Sequence, residues 1–423
     1  MIKISAEIQF GAKTYTLNLS VKEKTEDTDT NTNTDPDPVK AKTKFFGVCT
    51  FPWVPVEKLK PFGSARIYCA SHWIWQTDGL FIQPMFQAET ATAHGIDELL
   101  LNMKNADIDP LLCIHQTPEW LFKTGNGTGG NDYPPTEFPQ ARTSPTAYAK
   151  YAKFLWQVTA RYGRKVHTDG VKVSKQSRWA GDVPQTVKTG LDLLKFIEPW
   201  NECDKWWKRH EGQHTEYFEP EEMAAFLSAC YDGHEGAIPD AGIKNADESM
   251  QVVLPGLTGC DMAYIKRMDA WFEANRKDKD WPCDIFNIHW YNNSGNTADK
   301  YPPTWNEMGA INPEQDKALP QFLAVKQFAY NAGMDLWVTE FGCDSRGPSP
   351  MGHPEGEAGQ ANLIKACYEF YAKHGVKRAF MFTAINEPGQ NNGGLWQNCG
   401  VYTNGESGMQ PKKVFETIKN IAQ

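Results

Sequence analysis

The sequence lacks the features that mark several functional classes. No apolar run approaches the roughly 18 residues of a membrane-spanning helix. Its Lys and Arg residues form no cluster with interleaved aromatic residues, as a phosphate-binding surface would need. The formal net charge of −9 also disfavours a polyanionic partner. We therefore expect neither a membrane span nor a nucleic-acid partner.

Cysteine is present but lacks any spacing that would serve a metal or a disulfide framework. The ten Cys residues are dispersed singly, with no Cys-x-x-Cys pair and no His/Cys spacing typical of zinc. Several fall in apolar runs, where a free thiol behaves as a small buried side chain. The first residues also lack the charged-then-apolar pattern of a secretory signal. If a leader peptide had been removed, this pattern would be missing in any case, so the cellular compartment stays undetermined at this point.

Two segments at the amino terminus differ in character from the remainder. Residues 1–24 alternate apolar and polar side chains on both sides of Gly11, which predicts a β-hairpin. Residues 25–43 are rich in Thr, Asp, Asn and Pro, which favours a solvated linker. A calcium loop of the EF-hand type is disfavoured because the glycine required at its sixth position is missing. We expect residues 44–423 to form one large domain.

Beyond residue 44, short apolar runs alternate with helical patterns, which is typical of repeated βα units. Eight candidate strands lie at residues 45–50, 65–70, 111–116, 194–200, 251–256, 285–291, 336–340 and 379–384. Helical patterns occur at residues 96–105, 145–162, 220–231, 262–276, 313–332, 358–374 and 412–422. Eight such units predict an α/β fold of the (β/α)8 TIM-barrel type, with functional residues at the carboxyl ends of the strands. An open doubly wound sheet would need a glycine-rich phosphate loop after its first strand, and the sequence has none there.

Two of the candidate strands end in a carboxylate. Glu202 follows the fourth strand and Glu340 ends the seventh. In a closed ring of eight strands, these ends can face each other across the opening at the carboxyl ends, called the mouth below. A carboxylate pair is typical of glycosidic-bond hydrolysis, with about 5 to 5.5 Å between the groups for retention of configuration and a wider gap for inversion. The sequence leaves both outcomes open.

The motifs that carry these carboxylates resemble those of a known enzyme superfamily. Trp-Asn-Glu at residues 200–202 and Thr-Glu-Phe-Gly at residues 339–342 resemble clan A glycoside hydrolases, the retaining 4/7 superfamily. Ala-Arg-Ile-Tyr at residues 65–68 and His-Trp-Tyr at residues 289–291 bring the resemblance closest to families 5 and 39. The resemblance covers roughly residues 44–423, and it implies a general acid/base at Glu202 and a nucleophile at Glu340. No metal or organic cofactor is needed.

The resemblance also implies roles for residues around the two carboxylates. Arg66 would orient Glu340, Tyr291 would contact it, and Asn201 would bond the sugar 2-hydroxyl. His289 lies two residues before Tyr291, hence on the same strand face, where it can contact Glu202 or the substrate. A purely structural role is the alternative for His289 and for Arg66.

Two further groups of residues are candidates for substrate binding. His115 ends the third candidate strand, with a structural role as the alternative. The chain contains 15 Trp residues, whose flat faces suit stacking against sugars. Eight of them lie in or beside predicted strand-to-helix loops: Trp73, Trp75, Trp120, Trp206, Trp207, Trp290, Trp305 and Trp396. Trp206 and Trp207, just beyond Glu202, are the strongest candidates for lining an extended cleft, although loop packing accounts for one of the pair.

Two departures from the superfamily pattern concern the eighth strand. Clan members often carry a Trp at its end, and here Phe382 or Trp396 could take that place. The Asn-Glu-Pro spelling usual for the acid/base motif occurs at residues 386–388, whereas Cys203 follows Glu202. Because Glu387 follows the eighth strand, beyond the nucleophile, we interpret it as a carboxylate on the rim or a loop.

These observations predict an endo-acting retaining glycoside hydrolase that cleaves β-linked polysaccharide of the glucan, xylan or mannan type. An exo-acting β-xylosidase-like enzyme and a non-catalytic carbohydrate-binding barrel are the alternatives. The function implies an extracellular or periplasmic protein. We expect a monomer whose partner is a polysaccharide or oligosaccharide.

Overall fold

The computed structural model describes residues 2–10, 13–21, 43–75, 85–87, 93–121, 132–136, 140–173, 186–205, 208, 216–291, 312–346, 353, 355–387, 396–405 and 407–422. The chain divides into two compact units, Met1–Ala41 and Lys42–Gln423. In the first, strands Ile2–Phe10 and Lys13–Val21 pair antiparallel as a hairpin. The predicted linker lies outside the described residues except for Thr43, and the three segment boundaries stay a prediction.

The described part of the second unit contains eight parallel strands that follow one another in chain order around a ring. In order, barrel strands one to eight are Phe46–Thr50, Ser64–Ala70, Asp109–His115, Phe196–Glu198, Gln251–Val252, Ile285–His289, Asp335–Phe341 and Arg378–Met381. A parallel bridge between Val253 and Ile285 joins strand five to strand six, which brings the two ends of the sheet together. The predicted (β/α)8 barrel is confirmed.

Helices connect successive strands. They are Val56–Leu59, Ser71–Ile74, Ile96–Asn105, Ala149–Tyr162, Pro220–Asp232, Ile243–Ala246, Met262–Asn275, Leu319–Asn331, Gly356–Lys373 and Lys413–Ile421. Single 3-10 turns occur at Pro145–Tyr148 and Pro313–Gln315. An unpredicted antiparallel pair, Met85–Gln87 with Ala93–Gly95, lies between strands two and three in the chain. Among the described residues, no helix combines the length and the apolar character that crossing a membrane requires.

Strands four and five are shorter than the sequence predicts. Their ladders end at Glu198 and Val252, whereas the apolar patterns extend to residues 200 and 256. Each pattern contains a proline beyond the observed end, Pro199 and Pro255, and proline has no N–H to donate to a neighbouring strand. The regular ladders therefore end early at both places, although Val253 and Leu257 still form single bridges to strand six.

Side chains along each strand point alternately to the outer layer, where the helices pack, and to the barrel interior. On strand two, Ala65, Ile67 and Cys69 belong to the large apolar cluster that includes the helices. Tyr68 belongs to a smaller cluster, which consists of Cys49, Tyr68, Leu111, Cys113, Val253, Ile285, Trp337 and Phe380. Arg66 lies two residues before Tyr68 and so faces the interior with it. The interior is thus filled by side chains, and polar groups that enter it gather toward the mouth.

Candidate active site

Barrel strand two contributes a fully buried cation to the mouth. The guanidinium of Arg66 donates to both oxygens of Glu198, at 2.6 Å from Nε and 3.0 Å from Nη2. It also donates to Glu340 Oε1 at 2.8 Å and to Asn201 Oδ1 at 2.7 Å. A buried charge requires such partners because taking it out of water costs several kcal/mol. One side chain therefore ties strands two and seven to the end of strand four.

Glu340 receives hydrogen bonds on both of its carboxylate oxygens. Oε1 accepts from Arg66 and, at 2.5 Å, from the hydroxyl of Tyr68, while Oε2 accepts from the hydroxyl of Tyr291 at 2.8 Å. Burial alone would raise the pKa of Glu340. The charges of His289 and Arg66 and the two phenol hydrogen bonds outweigh burial, so the pKa lies below its usual value. Glu340 is therefore ionised at neutral pH.

The position of Glu340 depends on an irregularity near the end of strand seven. Ile288 is paired with Val338, but His289 is paired with Glu340, so one extra residue, Thr339, is accommodated between them. In a regular strand Thr339 and Glu340 would point to opposite faces. Here both contact interior groups, because Thr339 Oγ1 accepts from Asn287 at 2.7 Å while Glu340 meets Arg66. The register shift aims the carboxylate into the mouth, as bulges often do beside functional sites.

Glu202 lies opposite, just beyond strand four. Its φ of 47° places it in the left-handed region that residues other than glycine seldom adopt, and its backbone N–H donates to the Gly256 carbonyl at 3.1 Å. The side chain is 20% exposed, in contrast to 5% for Glu340. One oxygen of each carboxylate and one nitrogen of His289 all lie within 4.8 Å of one another. The structure thus brings the two strand-end carboxylates together.

His289 links the two carboxylates from strand six. Its Nδ1 lies 3.1 Å from Glu202 Oε1 and 3.5 Å from Glu340 Oε1, and its Nε2 lies 3.1 Å from Thr339 Oγ1. Burial lowers the pKa of this imidazole, but the charge of Glu340 and the hydrogen bond with Glu202 outweigh burial and raise it. A protonated imidazole can therefore stabilise the negative charge of Glu340.

Gly256 has no side chain, and the His289 ring occupies the space where a Cβ atom would lie. A Cβ atom at this position would lie 2.0 Å from His289 Nε2. The ring has no room to yield because it is fixed by Glu202 and Thr339 and is only 1% exposed. Glycine is thus needed here for close approach rather than for an unusual backbone angle.

We predict that Gly256→Ala displaces His289 and lowers kcat about 100-fold, because the Glu202 carboxylate loses a partner that positions it. Overpacking should also reduce the free energy of unfolding by about 1 to 3 kcal/mol. Steady-state kinetics and urea unfolding measure the two effects. Gly405→Ala is the matched control, since its added Cβ would meet only Met409 at 3.7 Å. Native kcat in Gly256→Ala would contradict the positioning role.

Sequence reasoning overlooked three side chains in this network: Tyr68, Glu198 and Asn287. Besides Arg66, Glu198 meets the backbone N–H of Gly256 at 3.0 Å and Asn287 Nδ2 at 3.2 Å. It is fully buried. Two signals were available in the sequence, because Glu198 is a charged residue inside an apolar run and Tyr68 follows Arg66 by two residues on one strand face.

Asp204 was also overlooked, although it anchors the segment that carries Glu202. Its carboxylate accepts from the backbone N–H of Thr258 at 2.9 Å and from the Thr258 hydroxyl at 2.9 Å. Burial raises the pKa of Asp204 to about 6, the hydrogen bonds from Thr258 oppose this rise, and the charge of Glu202 adds to it. The contact fastens the chain after strand four to the chain after strand five.

We predict that Asp204→Asn changes how stability depends on pH. Because the pKa of Asp204 is raised from 3.8 to about 6, the native chain holds a proton that the unfolded chain releases between these values. Its free energy of unfolding therefore falls as pH rises through this window, by up to about 3 kcal/mol. Asparagine keeps the hydrogen-bonding shape without this titration. Urea unfolding at pH 4 and pH 7 should show the variant gaining stability relative to the native chain as pH rises.

The exposed Asp335, at the start of strand seven, provides the matched control for this experiment. Asp335→Asn should leave the pH dependence of unfolding close to that of the native chain. A difference between Asp204→Asn and the native chain that stays constant from pH 4 to pH 7 would contradict the raised pKa.

The remaining predicted binding residues have different placements. His115 ends strand three, is half-buried, and its ring makes an edge contact with Tyr68 at 5.8 Å between centroids. Burial lowers the pKa of His115 to about 3, so the ring is neutral at pH 7. Trp396 is half-buried and lies against Tyr291 at 4.5 Å between centroids. Trp206 and Trp207 lie outside the described residues.

Two of the eight tryptophans named as candidates for substrate binding belong to the core. Trp75 is fully buried and stacks on Phe154 at 4.6 Å. Trp290 is 3% exposed and stacks on Phe322 at 4.5 Å. Each fills the layer between strands and helices, where a large flat side chain buries the most surface.

The other candidates named from the sequence have these positions. Trp73 and Trp120 are half-buried, and Trp305 lies outside the described residues. Phe382 contacts Tyr68 at 6.3 Å between ring centroids, so Phe382 and Trp396 each lie beside a tyrosine that binds Glu340. Glu387 is half-buried, its backbone N–H donates to Gln397, and burial raises its pKa. Glu387 thus lies on the chain that follows strand eight.

Glu202, His289 and Glu340 offer three ligand atoms close enough to hold a metal ion. Two features oppose a cation at this place. The Arg66 guanidinium already lies 2.8 Å from Glu340 Oε1, and the raised pKa of His289 favours a proton on that ring. The donor set is therefore better suited to proton transfer than to metal binding.

Comparisons with known proteins identify relatives in fold. No family model matches the chain, and no curated protein matches its sequence. A family 39 glycoside hydrolase from Bacteroides cellulosilyticus WH2 is 13% identical, with a TM-score of 0.53 over 99% of this chain and 70% of that chain. A glucosidase from Croceicoccus marinus is 12% identical, with a TM-score of 0.52 over 92% and 69%. A β-glycosidase from Thermosphaera aggregans is 11% identical, with a TM-score of 0.52 over 90% and 96%.

Proposed function

We propose that this barrel is a retaining glycoside hydrolase, with Glu340 as nucleophile and Glu202 as general acid/base. The observation that carries the proposal is the asymmetry between two adjacent carboxylates. Arg66, Tyr68 and Tyr291 all donate to Glu340, which keeps it ionised. Glu202 is more exposed than Glu340, and its carboxylate contacts His289. The fold shared with three glycosidases is consistent with this assignment.

The two carboxylates would act in two steps. Glu340 attacks the anomeric carbon and forms a glycosyl ester while Glu202 gives its proton to the departing oxygen. Glu202 then takes a proton from water, the water attacks the same carbon, and Glu340 leaves. One oxygen of each carboxylate lies within 4.8 Å of the other, and this close approach supports the retaining assignment, for which the two carboxyl groups are about 5 to 5.5 Å apart.

The hydrogen bonds of Arg66 also orient the Asn201 side chain for a contact with the sugar. The guanidinium has only donors, so its 2.7 Å contact fixes the Asn201 side chain with Oδ1 toward Arg66. The amide Nδ2 is then turned away from the guanidinium and can donate to a hydroxyl beside the anomeric carbon. This geometry supports the role proposed for Asn201 at the sugar 2-hydroxyl.

For the substrate we propose a β-linked polysaccharide of the glucan, xylan or mannan type, cleaved internally. The half-buried Trp396 lies against Tyr291, which binds Glu340, and offers a ring face for stacking beside the mouth. An exo-acting, β-xylosidase-like enzyme is the alternative, and the two differ in the products that they release.

A panel of β-1,4- and β-1,3-linked polysaccharides with reducing-sugar detection tests the activity. Product sizes from the best substrate separate internal from terminal cleavage, and NMR of the first product reports the anomeric configuration. We expect short oligosaccharides of retained β configuration. Binding without product across the panel would instead favour a non-catalytic carbohydrate-binding barrel, and an inverted first product would exclude Glu340 as a covalent nucleophile.

A further inference from the structure

An ion pair between a buried lysine and a partly exposed aspartate lies on the segment that follows Glu202 and takes no part in the chemistry of the two carboxylates. Lys205 Nζ is 2.8 Å from Asp132 Oδ2, and the Lys205 side chain is only 9% exposed, whereas that of Asp132 is 37% exposed. Lys205 follows Glu202 by three residues, and Asp132 lies in the connection after strand three. Both therefore belong to the carboxyl-terminal side of the barrel, where TIM-barrel sites are built.

Strands three and four, which precede Asp132 and Lys205 in the chain, are neighbours in the sheet, and His115 ends strand three. The charge of Asp132 raises the pKa of the His115 ring, whereas the charges of Arg66 and Lys205 lower it. The His115 ring in turn contacts Tyr68, whose hydroxyl binds the nucleophile. His115 thus connects the ion pair to the sugar position next to Glu340.

Stability alone gives a weak reason for such a pair. Burying a lysine costs free energy that the attraction of one partly exposed carboxylate returns only in part. Elsewhere in the barrel, Lys244 and Asp284 form a comparable pair at 3.3 Å, with exposures of 18% and 19%. That pair has a structural role, because Asp284 also accepts a hydrogen bond from the backbone N–H of Val252 on strand five at 2.7 Å. It lies at the start of strand six, the end of the barrel opposite the mouth.

We propose that Lys205 and Asp132 form a clamp for adjacent hydroxyl groups of a neutral sugar unit bound beside His115. This inference rests on the proposed glycoside hydrolase function and names the substrate class of one subsite. An ammonium donates, a carboxylate accepts, and a vicinal diol offers both functions at matching spacing. The sum of the two charges is zero, so the clamp suits an uncharged sugar.

The same pair disfavours an acidic sugar. A uronate carboxylate placed beside Lys205 would also lie near Asp132, and two like charges at such distances repel. Removing the charge of Asp132 while keeping its shape should therefore make the subsite accept a uronate more readily. A purely structural ion pair would show no such change of preference.

The test uses Lys205→Met, Asp132→Asn and the control Lys244→Met, which removes a comparable buried pair at the other end of the barrel. The substrates are neutral β-linked oligosaccharides of the type the native chain hydrolyses and their oxidised, uronate-bearing counterparts. Loss of a charged hydrogen bond to substrate should lower kcat/KM on the neutral substrate about 10- to 100-fold in both clamp variants.

Asp132→Asn should also shift the ratio of kcat/KM, uronate over neutral, upward by about tenfold, which is the decisive readout. An unchanged ratio would overturn the clamp, whatever the kcat/KM on the neutral oligosaccharide. If Lys205→Met fails to fold, Asp132→Asn alone decides, since its side chain is partly exposed. Failure of the proposed function is a separate result, recognised by the absence of hydrolysis in the native chain, and oligosaccharide binding by calorimetry then tests the clamp directly.

Discussion

Replacement of Glu340 by Ala should lower kcat for glycoside hydrolysis by about 10⁵-fold or more, the scale expected when a covalent nucleophile is removed. Without the carboxylate no glycosyl ester can form. A small anion such as azide can enter the vacated space and attack an activated aryl glycoside from the same side. The product should then be a glycosyl azide of inverted configuration, because only one displacement has taken place.

The fold should survive this change, which makes the result interpretable. Arg66 keeps its two contacts with Glu198 and its contact with Asn201, so the guanidinium is not left without partners. Circular dichroism and urea unfolding provide the check on folding. Appreciable hydrolysis by a folded Glu340→Ala protein without added anion would rule out Glu340 as nucleophile.

The second large effect is expected for Glu202→Ala, and its size should depend on the leaving group. For an oligosaccharide, whose departing oxygen must be protonated, kcat/KM should fall by about 10² to 10⁴-fold, the range of general acid catalysis. For an aryl glycoside with an acidic phenol the fall should be far smaller, since that group leaves without a proton. Azide should accelerate turnover of the aryl glycoside and give a product of retained configuration, because the nucleophile is still present.

Glu387→Ala is the matched control for this experiment. Glu387 carries the more usual Asn-Glu-Pro spelling, but it follows strand eight, and its contact is with the backbone of Gln397. The variant should hydrolyse oligosaccharides at close to the native rate. Loss of activity in Glu387→Ala, with native activity in Glu202→Ala, would reverse the assignment of the acid/base.

The fold and the pairing of Glu202 with Glu340 could be anticipated because both depend on local patterns. Apolar runs bounded by polar residues mark strands, and the order of strands in a (β/α)8 barrel follows chain order, so strand numbers alone bring Glu202 near Glu340. Arg66, Tyr291 and His289 could be named from their motifs for the same reason. Their contacts in the structure lie where those strand positions indicate.

What the sequence could not provide depends on interactions across the ring. The extra residue at Thr339 changes which side chains of strand seven face inward. The apolar pattern of one strand does not indicate such a register shift. Burial of Glu198 is compensated by Arg66, which is 132 residues away in the chain. Trp75 and Trp290 follow strands as binding tryptophans would, yet packing against helices decides their place.

The shared guanidinium of Arg66 has a consequence for charge balance during turnover. In the resting site Arg66 contacts two carboxyl groups, those of Glu198 and Glu340. When Glu340 becomes an ester in the proposed reaction, its negative charge disappears. The two hydrogen bonds from Arg66 to Glu198 remain, so the covalent intermediate does not contain a buried guanidinium without a carboxylate partner. A fully buried residue that never touches the sugar would in this way set the relative free energies of the two chemical states.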